Sequence, residues 1–245
     1  MSDLVVHVGS KSAQGIRPNN EDSYVVGLDE RLFLVADGMG GQERGEVASN
    51  MAAEIIPRIL HDLLAANEPA EHAVEHALHE ANVAICDAGK GQPEGRRMGT
   101  TAVLALHTGG KVYVASLGDS RAYLIRGDRV EQLTVDHSVA QALVACGALT
   151  AEEARSSPYQ HVLHKFLGCA ALSERPDIKP FVPQARDRLL LASDGLTNHV
   201  TDDDLRQGAV EFPNPQVWAE HLVQLALGRG SRDNVTCVVA AFEES

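Results

Sequence analysis

The chain has 245 residues, of which 44% are hydrophobic, and it carries a formal net charge of −13. This length suits one large domain, or at most two small ones, and the composition excludes a disordered chain. The acidic charge disfavours nucleic acid or an anionic membrane as the main partner, because both require a basic surface. No apolar run approaches the roughly 20 residues of a membrane helix, and no signal-peptide pattern opens the chain.

The first half of the chain predicts strands followed by two helices. Runs rich in Val, Leu and Phe indicate strands at 4–8, 23–26 and 32–36. Apolar residues then recur every four positions from 47 to 63, which indicates a helix in which Pro57 marks a kink or a boundary. A second helix is expected over residues 69–87.

The second half returns to strands separated by turn-rich breaks. Strands are predicted at 101–107, 111–116, 122–126, 129–133, 188–192 and 235–242, and a helix at 215–227. This order lacks the steady alternation of strand and helix that a parallel sheet shows. It predicts an α+β fold with antiparallel sheets and outer helices. Because no linker or repeat is visible, residues 1–245 are expected to form one domain.

Four carboxylates stand where predicted strands begin or end. Asp37 and Asp194 each follow an apolar strand and precede a glycine, Asp119 follows a third strand, and Asp233 precedes the last. Carboxylates that converge at strand ends repel one another, so a cation must make such a cluster tolerable. Ligand sets made of oxygen favour hard ions such as Mg²⁺ or Mn²⁺. For any one of these residues, the alternative is an ordinary Asp-Gly turn.

An arginine lies close to two acidic residues near the N-terminus. Arg17 opens the segment Arg-Pro-Asn-Asn-Glu-Asp, which also contains Glu21 and Asp22. A guanidinium can bind phosphate through two parallel hydrogen bonds, which a lysine cannot do. The alternative is a solvated charged loop.

Seven short motifs follow one another in a characteristic order. They are Arg-Pro-Asn-Asn-Glu-Asp, Val-Ala-Asp-Gly-Met-Gly-Gly, Gly-Thr-Thr, Gly-Asp-Ser-Arg, Leu-Thr-Val-Asp-His-Ser, Ala-Ser-Asp-Gly-Leu and Ser-Arg-Asp-Asn-Val-Thr. Each is weak alone, but together and in this order they closely resemble the metal-dependent protein phosphatases of type 2C, particularly the single-domain bacterial members. The resemblance runs from about residue 8 to the C-terminus. It implies an αββα fold, in which a central sandwich of two antiparallel sheets is flanked by helices.

The resemblance also implies metal ligands. Asp37 matches the carboxylate that bridges two metal ions, and Gly38 matches a backbone carbonyl ligand beside it. Asp194 and Asp233 match further ligands of this pair. Asp119 matches a ligand of a third, weaker ion in bacterial relatives. The implied cofactor is therefore Mn²⁺ or Mg²⁺, with two ions and a third weaker one.

Other residues are expected around these metals. Arg17 matches the phosphate-binding arginine, Glu21 and Asp22 match acidic residues near the ions, with at least one acting through water, and Asn234 would orient Asp233. In the implied mechanism, a water that bridges two metals becomes a hydroxide near neutral pH and attacks the phosphorus in line. The metals and Arg17 stabilise the charge on the phosphoryl oxygens.

The four cysteines need not be nucleophiles in this mechanism, because it requires no covalent phosphoenzyme. They are Cys86, Cys146, Cys169 and Cys237. None forms a Cys-x-x-Cys pair, so reduced structural thiols are expected rather than a redox or zinc role.

The sequence departs from the family pattern beside the Asp-Gly motif. Many eukaryotic relatives have a histidine there, proposed to protonate the leaving alkoxide, whereas this chain has Met39. A metal-bound water is the preferred substitute, with His137 as the alternative. Residues 138–168 match the variable flap of bacterial relatives. Within the flap, Lys165 is interpreted either as a phosphopeptide contact or as a solvated lysine.

A histidine-rich helix face and a lone tryptophan have structural interpretations. His72, His76 and His79 lie opposite the apolar side of the second predicted helix, so they form a solvated face, with an adventitious metal site as the alternative. Trp218 lies on an apolar helix and is expected in the core.

Three functions are compatible with these motifs. An active serine/threonine phosphoprotein phosphatase is favoured, because no metal carboxylate has been lost. A non-catalytic phosphoprotein-binding scaffold and a metal-dependent phosphodiesterase or nuclease are the alternatives. The resemblance implies phosphoprotein substrates and a cognate serine/threonine kinase, with no nucleic acid or membrane partner. Because the chain ends at Ser245, soon after its last motif, a cytoplasmic protein without an anchor is expected.

Overall fold

The computed structural model describes residues 4–29, 31–40, 44–91, 98–169 and 175–244. The strands are β1 (Leu4–Ala13), β2 (Asp22–Gly27), β3 (Leu32–Met39), β4 (Gly99–Thr100), β5 (Ala102–Thr108), β6 (Lys111–Leu117), β7 (Arg121–Arg126), β8 (Arg129–Gln132), β9 (Asp177–Phe181), β10 (Arg188–Ala192) and β11 (Val235–Glu244). The helices are α1 (Arg44–Ala65), α2 (Ala70–Ala88), α3 (Val139–Ala145), α4 (Ala151–Arg155), α5 (Asp194–Thr197), α6 (Asp202–Glu211) and α7 (Pro215–Gly228).

The strands form two antiparallel sheets. The first sheet has the order β1-β11-β10-β7-β8, and the second has the order β2-β3-β5-β6-β9 with β4 paired to β3. All their pairings run antiparallel. The predicted α+β fold with two antiparallel sheets and flanking helices is confirmed.

Strand β3 shows how the layers pack. Phe33 and Val35 join the core between the two sheets, which also contains Phe242 of β11. Leu34, the residue between them, points to the opposite face and joins Ile56 of α1 in the core beneath the helices. Because side chains alternate along a strand, a continuous apolar run marks a strand that is covered on both faces.

The other face of the first sheet is covered by α7, with α6 beside it. Trp218 of α7 is fully buried in a core with Leu190 and Val239 of the sheet, which confirms its predicted place. On the opposite side of the molecule, the three histidines of α2 are exposed as predicted. One of them, His72, pairs with Glu68 at 3.1 Å.

The predicted boundary at Pro57 is wrong, because Pro57 lies inside the uninterrupted helix α1. Its neighbours Ile56 and Leu60 are fully buried against the second sheet. Such packing outweighs the hydrogen bond that a proline removes from a helix.

Two longer elements were not expected from the sequence. Strand β9 contains Pro180 and lies at an edge of the second sheet, where a proline is tolerated and apolar patterning is weak. Helix α6 begins at a capping box in which Thr201 accepts a hydrogen bond from Asp204 N, while the Asp204 carboxylate accepts from Thr201 N. This capping box is a sequence signal that could have revealed α6. Within the described residues, no helix is long and apolar enough to span a membrane.

Candidate metal centre

The sheet topology gathers the predicted carboxylates at one end of the sandwich. Strand β10 ends at Ala192, which pairs with the first residue of β7 and the third residue of β11. Asp194 follows β10, while Asp119 immediately precedes the Ser120 that leads into β7, and Asp233 lies two residues before the start of β11. Asp37 comes from β3 of the second sheet. Four segments that are distant in sequence therefore end at one place.

These side chains surround a cavity of about 430 Å³. Eight of the nine predicted site residues line it, namely Arg17, Glu21, Asp37, Gly38, Asp119, Asp194, Asp233 and Asn234. The ninth, Asp22, is buried beside the cavity, where it pairs in register with Asp37 across β2 and β3. Met39 is also part of the lining, so a thioether occupies the position at which a histidine was considered.

The glycines of the two Asp-Gly motifs are packing residues. Gly38 lies in β3, and a Cβ added there would come within 2.2 Å of Gly45 O and 2.6 Å of Glu21 O. Gly195 lies in α5, and a Cβ there would come within 2.0 Å of Asn234 O. Neither glycine is among those with a positive φ. Neither Asp-Gly pair therefore forms an ordinary turn, and that alternative is wrong at both places. Glycine is required because a side chain would prevent two backbone segments from packing this closely.

The carboxylates at the cavity carry an unfavourable concentration of charge. Burial raises the pKa of Asp37 well above its ordinary value, and the neighbouring carboxylates of Asp22, Asp194, Asp119 and Asp233 raise it further. Burial and the charges of Asp194 and Asp136 raise the pKa of Asp119 to about 7. Raised pKa values mean that protonation of these carboxylates is favoured. A bound cation reverses this preference, because it favours the ionised form.

The donor atoms fit hard divalent ions. Oxygen ligands from carboxylates, with a backbone carbonyl beside them, are those that Mg²⁺ and Mn²⁺ prefer. Asp119, Asp194 and His161 also offer ligand atoms that all lie within 4.8 Å of one another. The residues present at this centre are thus suited to the ions that the sequence predicted.

His161 is a site residue that the sequence reasoning missed. It lies in the predicted flap, and its Nδ1 is 3.5 Å from Asp194 Oδ2. The hydrogen bond to Asp194 raises the pKa of His161. A single histidine without a neighbouring ligand at a fixed spacing gives no sequence signal, and only the folding of the flap places it here. Leu163 and Phe166 of the same segment also line the cavity.

Arg17 stands at the cavity with its guanidinium directed at a carboxylate. Arg17 Nη2 donates to Asp233 Oδ2 at 2.6 Å, and 56% of the Arg17 side chain is exposed. This hydrogen bond raises the pKa of Arg17. The loop is solvated, since residues 14–18 are exposed, and Arg17 also lines the cavity.

Asn234 contacts the Asp233 carboxylate through its backbone, while its side chain makes other contacts. Its side-chain Nδ2 donates to Gln14 O at 2.8 Å and to Asn19 O at 2.9 Å, and its Oδ1 accepts from Glu21 N at 2.9 Å. The side chain therefore holds the loop that carries Arg17. Only the backbone of Asn234 touches Asp233, with N donating to Asp233 Oδ1 at 2.8 Å.

Glu21 and Asp22 occupy different environments. Glu21 lines the cavity, and burial raises its pKa even though Arg17 lowers it in part. Asp22 accepts a hydrogen bond from Ser193 Oγ at 2.9 Å, but its buried Oδ1 has no hydrogen-bond partner within the described part of the chain. Burial raises the pKa of Asp22 to about 6. Asp22 is thus buried next to the cavity, whereas Glu21 is part of the cavity lining.

The Gly-Thr-Thr motif supports Asp37. Thr101 Oγ1 accepts a hydrogen bond from Asp37 N at 2.9 Å, and Thr101 N donates to Asp37 O at 2.9 Å. Ser120 Oγ lies 2.7 Å from the same Thr101 hydroxyl oxygen. The residue that follows Asp119 is thereby joined, through Thr101, to the backbone of Asp37.

Two further expectations are corrected. His137 is buried and does not line the cavity, so it is not placed to protonate a leaving group. Lys165 is not solvated, because it is 5% exposed and its Nζ donates to Arg175 O at 2.8 Å. Its charge lies 3.7 Å from Asp177, and Lys165 is not among the cavity-lining residues, which also counts against a phosphopeptide contact.

A two-sheet sandwich whose strand ends bring carboxylates and an arginine to one cavity defines a metal-dependent phosphoester hydrolase. A sequence profile described as protein phosphatase 2C matches residues 10–226. The chain belongs to the protein phosphatase 2C family.

Named relatives agree with this assignment. The serine/threonine protein phosphatase PstP of Mycobacterium tuberculosis is 36% identical over 241 residues, which are 97% of this chain and 45% of PstP. The chain thus spans about half the length of that relative. The serine/threonine phosphatase stp of Listeria innocua is 33% identical over 242 residues, covering 96% of this chain and 95% of that protein.

A solved structure has the same fold. The crystal structure of the PstP catalytic domain in complex with two manganese ions superposes with a TM-score of 0.82 at 34% identity. The match covers 98% of this chain and 100% of that chain. The predicted family and fold are confirmed. The two manganese ions of that neighbouring structure agree with the predicted Mn²⁺ or Mg²⁺ cofactor.

Proposed function

We propose that this chain hydrolyses phosphoserine and phosphothreonine in proteins at the carboxylate-lined cavity. The observation that carries the proposal is the convergence of Asp37, Asp119, Asp194 and Asp233 on one cavity with Arg17. The reaction forms a bond between a water oxygen and phosphorus, breaks the phosphorus–oxygen ester bond, and returns a proton to the serine or threonine oxygen.

The roles of the metal-binding residues follow the family pattern. Asp37, the Gly38 carbonyl, Asp194 and Asp233 would hold two ions. Asp119 would hold a third, weaker ion, and His161 would offer it a nitrogen. When bound, Mn²⁺ or Mg²⁺ supplies a hydroxide nucleophile near neutral pH and positive charge beside the phosphoryl group.

Arg17 binds the phosphoryl group of the substrate. Its guanidinium is half exposed and already donates to a carboxylate oxygen, the geometry it would offer to a phosphate oxygen. The side chain of Asn234 keeps the Arg17 loop in place, which supports this role. The negative charge of the cavity makes such a cation necessary, since an unscreened carboxylate cluster repels phosphate.

The proton for the leaving alkoxide comes from water at the centre. Met39 has no proton to give, and His137 is buried away from the cavity. Glu21 lines the same cavity, and burial raises its pKa.

We further infer the organisation and setting of the protein. Residues 1–245 form one type 2C domain, with a flap at 138–168 that contains α3 and α4 and brings His161 to the cavity. The substrates are phosphoproteins, and a cognate serine/threonine kinase supplies them. A cytoplasmic location is supported by the four cysteines, which form no disulfide, as expected in a reducing compartment.

An assay with three substrates tests the proposed function. The purified chain, with Mn²⁺ or with EDTA, is given a phosphothreonine peptide, a phosphotyrosine peptide and single-stranded DNA. We expect Mn²⁺-dependent release of phosphate from the phosphothreonine peptide and little reaction with the others. Cleavage of DNA instead would identify a nuclease, and Mn²⁺ binding without hydrolysis would identify a scaffold.

Matched charge removals connect the activity to the site. Asp37→Asn should lower kcat/KM by more than about 100-fold, because loss of even a second-shell partner of a metal ligand costs 10–100-fold. Asp203→Asn makes the same chemical change on an exposed part of α6 and should leave the activity unchanged. Equal activities of the two variants would contradict the assignment of Asp37.

A further inference from the structure

His137 has contacts that its place outside the cavity does not explain. Its ring is 7% exposed, and its Nδ1 accepts a hydrogen bond from Gly118 N at 3.1 Å. Its own backbone N donates to Gly118 O at 2.9 Å. Both backbone polar groups of Gly118 are therefore bound to His137, and the next residue along the chain is Asp119.

The second ring nitrogen of His137 is also engaged. A backbone N–H can only donate, so the contact with Gly118 assigns a lone pair to Nδ1 and the proton to Nε2. That Nε2 donates to Asp177 Oδ2 at 2.8 Å. Lys165 Nζ lies 3.7 Å from the same carboxylate oxygen and holds the segment by donating to Arg175 O. Asp177 thus determines which nitrogen of His137 faces Gly118.

His137 also lies where the flap begins and ends. His137 O accepts a hydrogen bond from His164 N at 3.0 Å, and the two rings pack edge to face at 6.0 Å. The adjacent Ser138 forms a bridge with Leu163. Between these two ends, the flap carries His161 to the cavity. One residue therefore contacts the base of the flap and the turn that contains Asp119.

The turn at Gly118 is closely fitted. Gly118 has a φ of +106°, and a Cβ there would lie 2.6 Å from Thr101 Cγ2, in the residue that supports Asp37. A displacement of this turn would consequently move Asp119 relative to the other carboxylates.

We infer that His137 is a positioning residue for the third metal ion. Its Nδ1 fixes the Gly118 turn against the base of the flap, so that Asp119 from the turn and His161 from the flap meet Asp194. Asp177 holds His137 in the required tautomer, as carboxylates do for histidines around metal sites. This inference rests on the proposed role of Asp119 in binding that ion.

Two amide substitutions separate the contacts of His137. In His137→Asn, the amide oxygen lies near the position of Nδ1 and can accept from Gly118 N. In His137→Gln, the amide reaches toward the position of Nε2 and leaves Gly118 N without its acceptor. Mn²⁺ titration of the metal-free proteins by calorimetry, with Asp119→Asn as the reference for loss of the third site, measures the effect.

We expect His137→Gln to weaken the weakest Mn²⁺ site by about 10-fold, toward the binding curve of Asp119→Asn. The Asn variant should stay within about threefold of the unmodified protein, since its acceptor for Gly118 is retained. The concentration of Mn²⁺ for half-maximal hydrolysis should shift in the same way, with kcat at saturating Mn²⁺ nearly restored. Equal curves for His137→Gln and the unmodified protein would overturn the inference.

A second pair of variants tests the inference without changing the buried His137 ring, whose substitution can itself cause misfolding. The Asp177 side chain is 69% exposed, so its substitution should leave the fold intact. Asp177→Asn keeps an oxygen that accepts from His137 Nε2, whereas Asp177→Leu has none. We expect a raised Mn²⁺ requirement in Asp177→Leu alone. If both variants bind Mn²⁺ as the unmodified protein does, the positioning role is excluded. Because calorimetry needs no turnover, an absence of phosphatase activity would contradict the proposed function without deciding this inference.

Discussion

The two ends of strand β10 carry carboxylates in opposite surroundings. Asp187, just before the strand, is 1% exposed and accepts hydrogen bonds from Arg126 Nε at 2.7 Å and Nη2 at 2.5 Å. Asp194, just after the strand, faces a cavity whose other acidic residues are Glu21, Asp37, Asp119 and Asp233. At one end the chain supplies the balancing cation itself, whereas at the other it gathers like charges.

This difference separates a carboxylate that the protein itself neutralises from carboxylates that require a bound cation. The buried pair of Asp187 with Arg126 stabilises the protein as it stands, and it lies outside the metal-binding cavity. Clustered carboxylates with raised pKa values destabilise the metal-free protein and stabilise the metal-bound one. Sites of this kind favour function at the expense of the stability of the empty protein.

Added metal should produce the largest change in stability. At a Mn²⁺ concentration of about 100 times Kd, the free energy of unfolding should rise by about 2.7 kcal/mol, because the ions bind the folded state. Urea denaturation with Mn²⁺ and with EDTA measures the change. Asp37→Asn should remove most of it, while Asp203→Asn should keep it. A protein that Mn²⁺ does not stabilise would refute the contrast between the two ends of β10.

The metal-free protein should lose stability as the pH rises. The folded-state pKa of Asp119 is about 7, above the unfolded value of about 4, so the folded state binds more protons between these values. The free energy of unfolding in EDTA should therefore fall from pH 5 to pH 8, by on the order of 2 kcal/mol. Denaturation at a series of pH values tests this, and saturating Mn²⁺ should abolish the trend. A rise over the same range would show that other groups dominate.

Substitution at the opposite end of β10 should cost stability and spare metal binding. Asp187→Asn removes one partner of a buried ion pair and should destabilise the protein by about 2 kcal/mol, less than for a fully buried pair because Arg126 is partly exposed. Chemical denaturation in EDTA gives the free energy, and calorimetry gives the Mn²⁺ affinity. Weakened Mn²⁺ binding by a folded Asp187→Asn variant would show that the two ends are coupled.

The smallest effect is expected at the N-terminus of α6. Arg229 and Thr201 lower the pKa of Asp204 well below its usual range. Asp204 therefore contributes stability that is present above the unfolded value near 4 and is lost as the pH falls below it. Asp204→Asn should cost less than about 1 kcal/mol at pH 7, since the pair is near the surface. In denaturation series, this deficit should shrink below pH 4; a constant deficit would argue for lost capping geometry alone.

The sequence predicted the elements that have strong apolar patterns. Helix α2 and strand β10 were expected within a residue or two of their observed bounds, because their patterns match the period of the structure. The edge strand β9 was missed because its pairing with β6 decides it, whereas α6 was missed although the capping box at Thr201 marks its start. The helix and strand propensities of residues predict an element poorly where tertiary contacts supply the stability of that element.

The candidate site likewise contains residues that the sequence predicted and residues that only the structure revealed. The residue types and their order along the chain were enough to predict Asp37, Asp119, Asp194 and Asp233, because each stands next to a recognisable strand, in a motif that resembles the family pattern. Only the tertiary structure decided that His161 joins them, that Lys165 is buried beside Asp177, and that Asn234 holds the Arg17 loop. The physical reason is that strand ends are local features, whereas the contacts of flap and loop side chains depend on segments that meet only after the two sheets have packed.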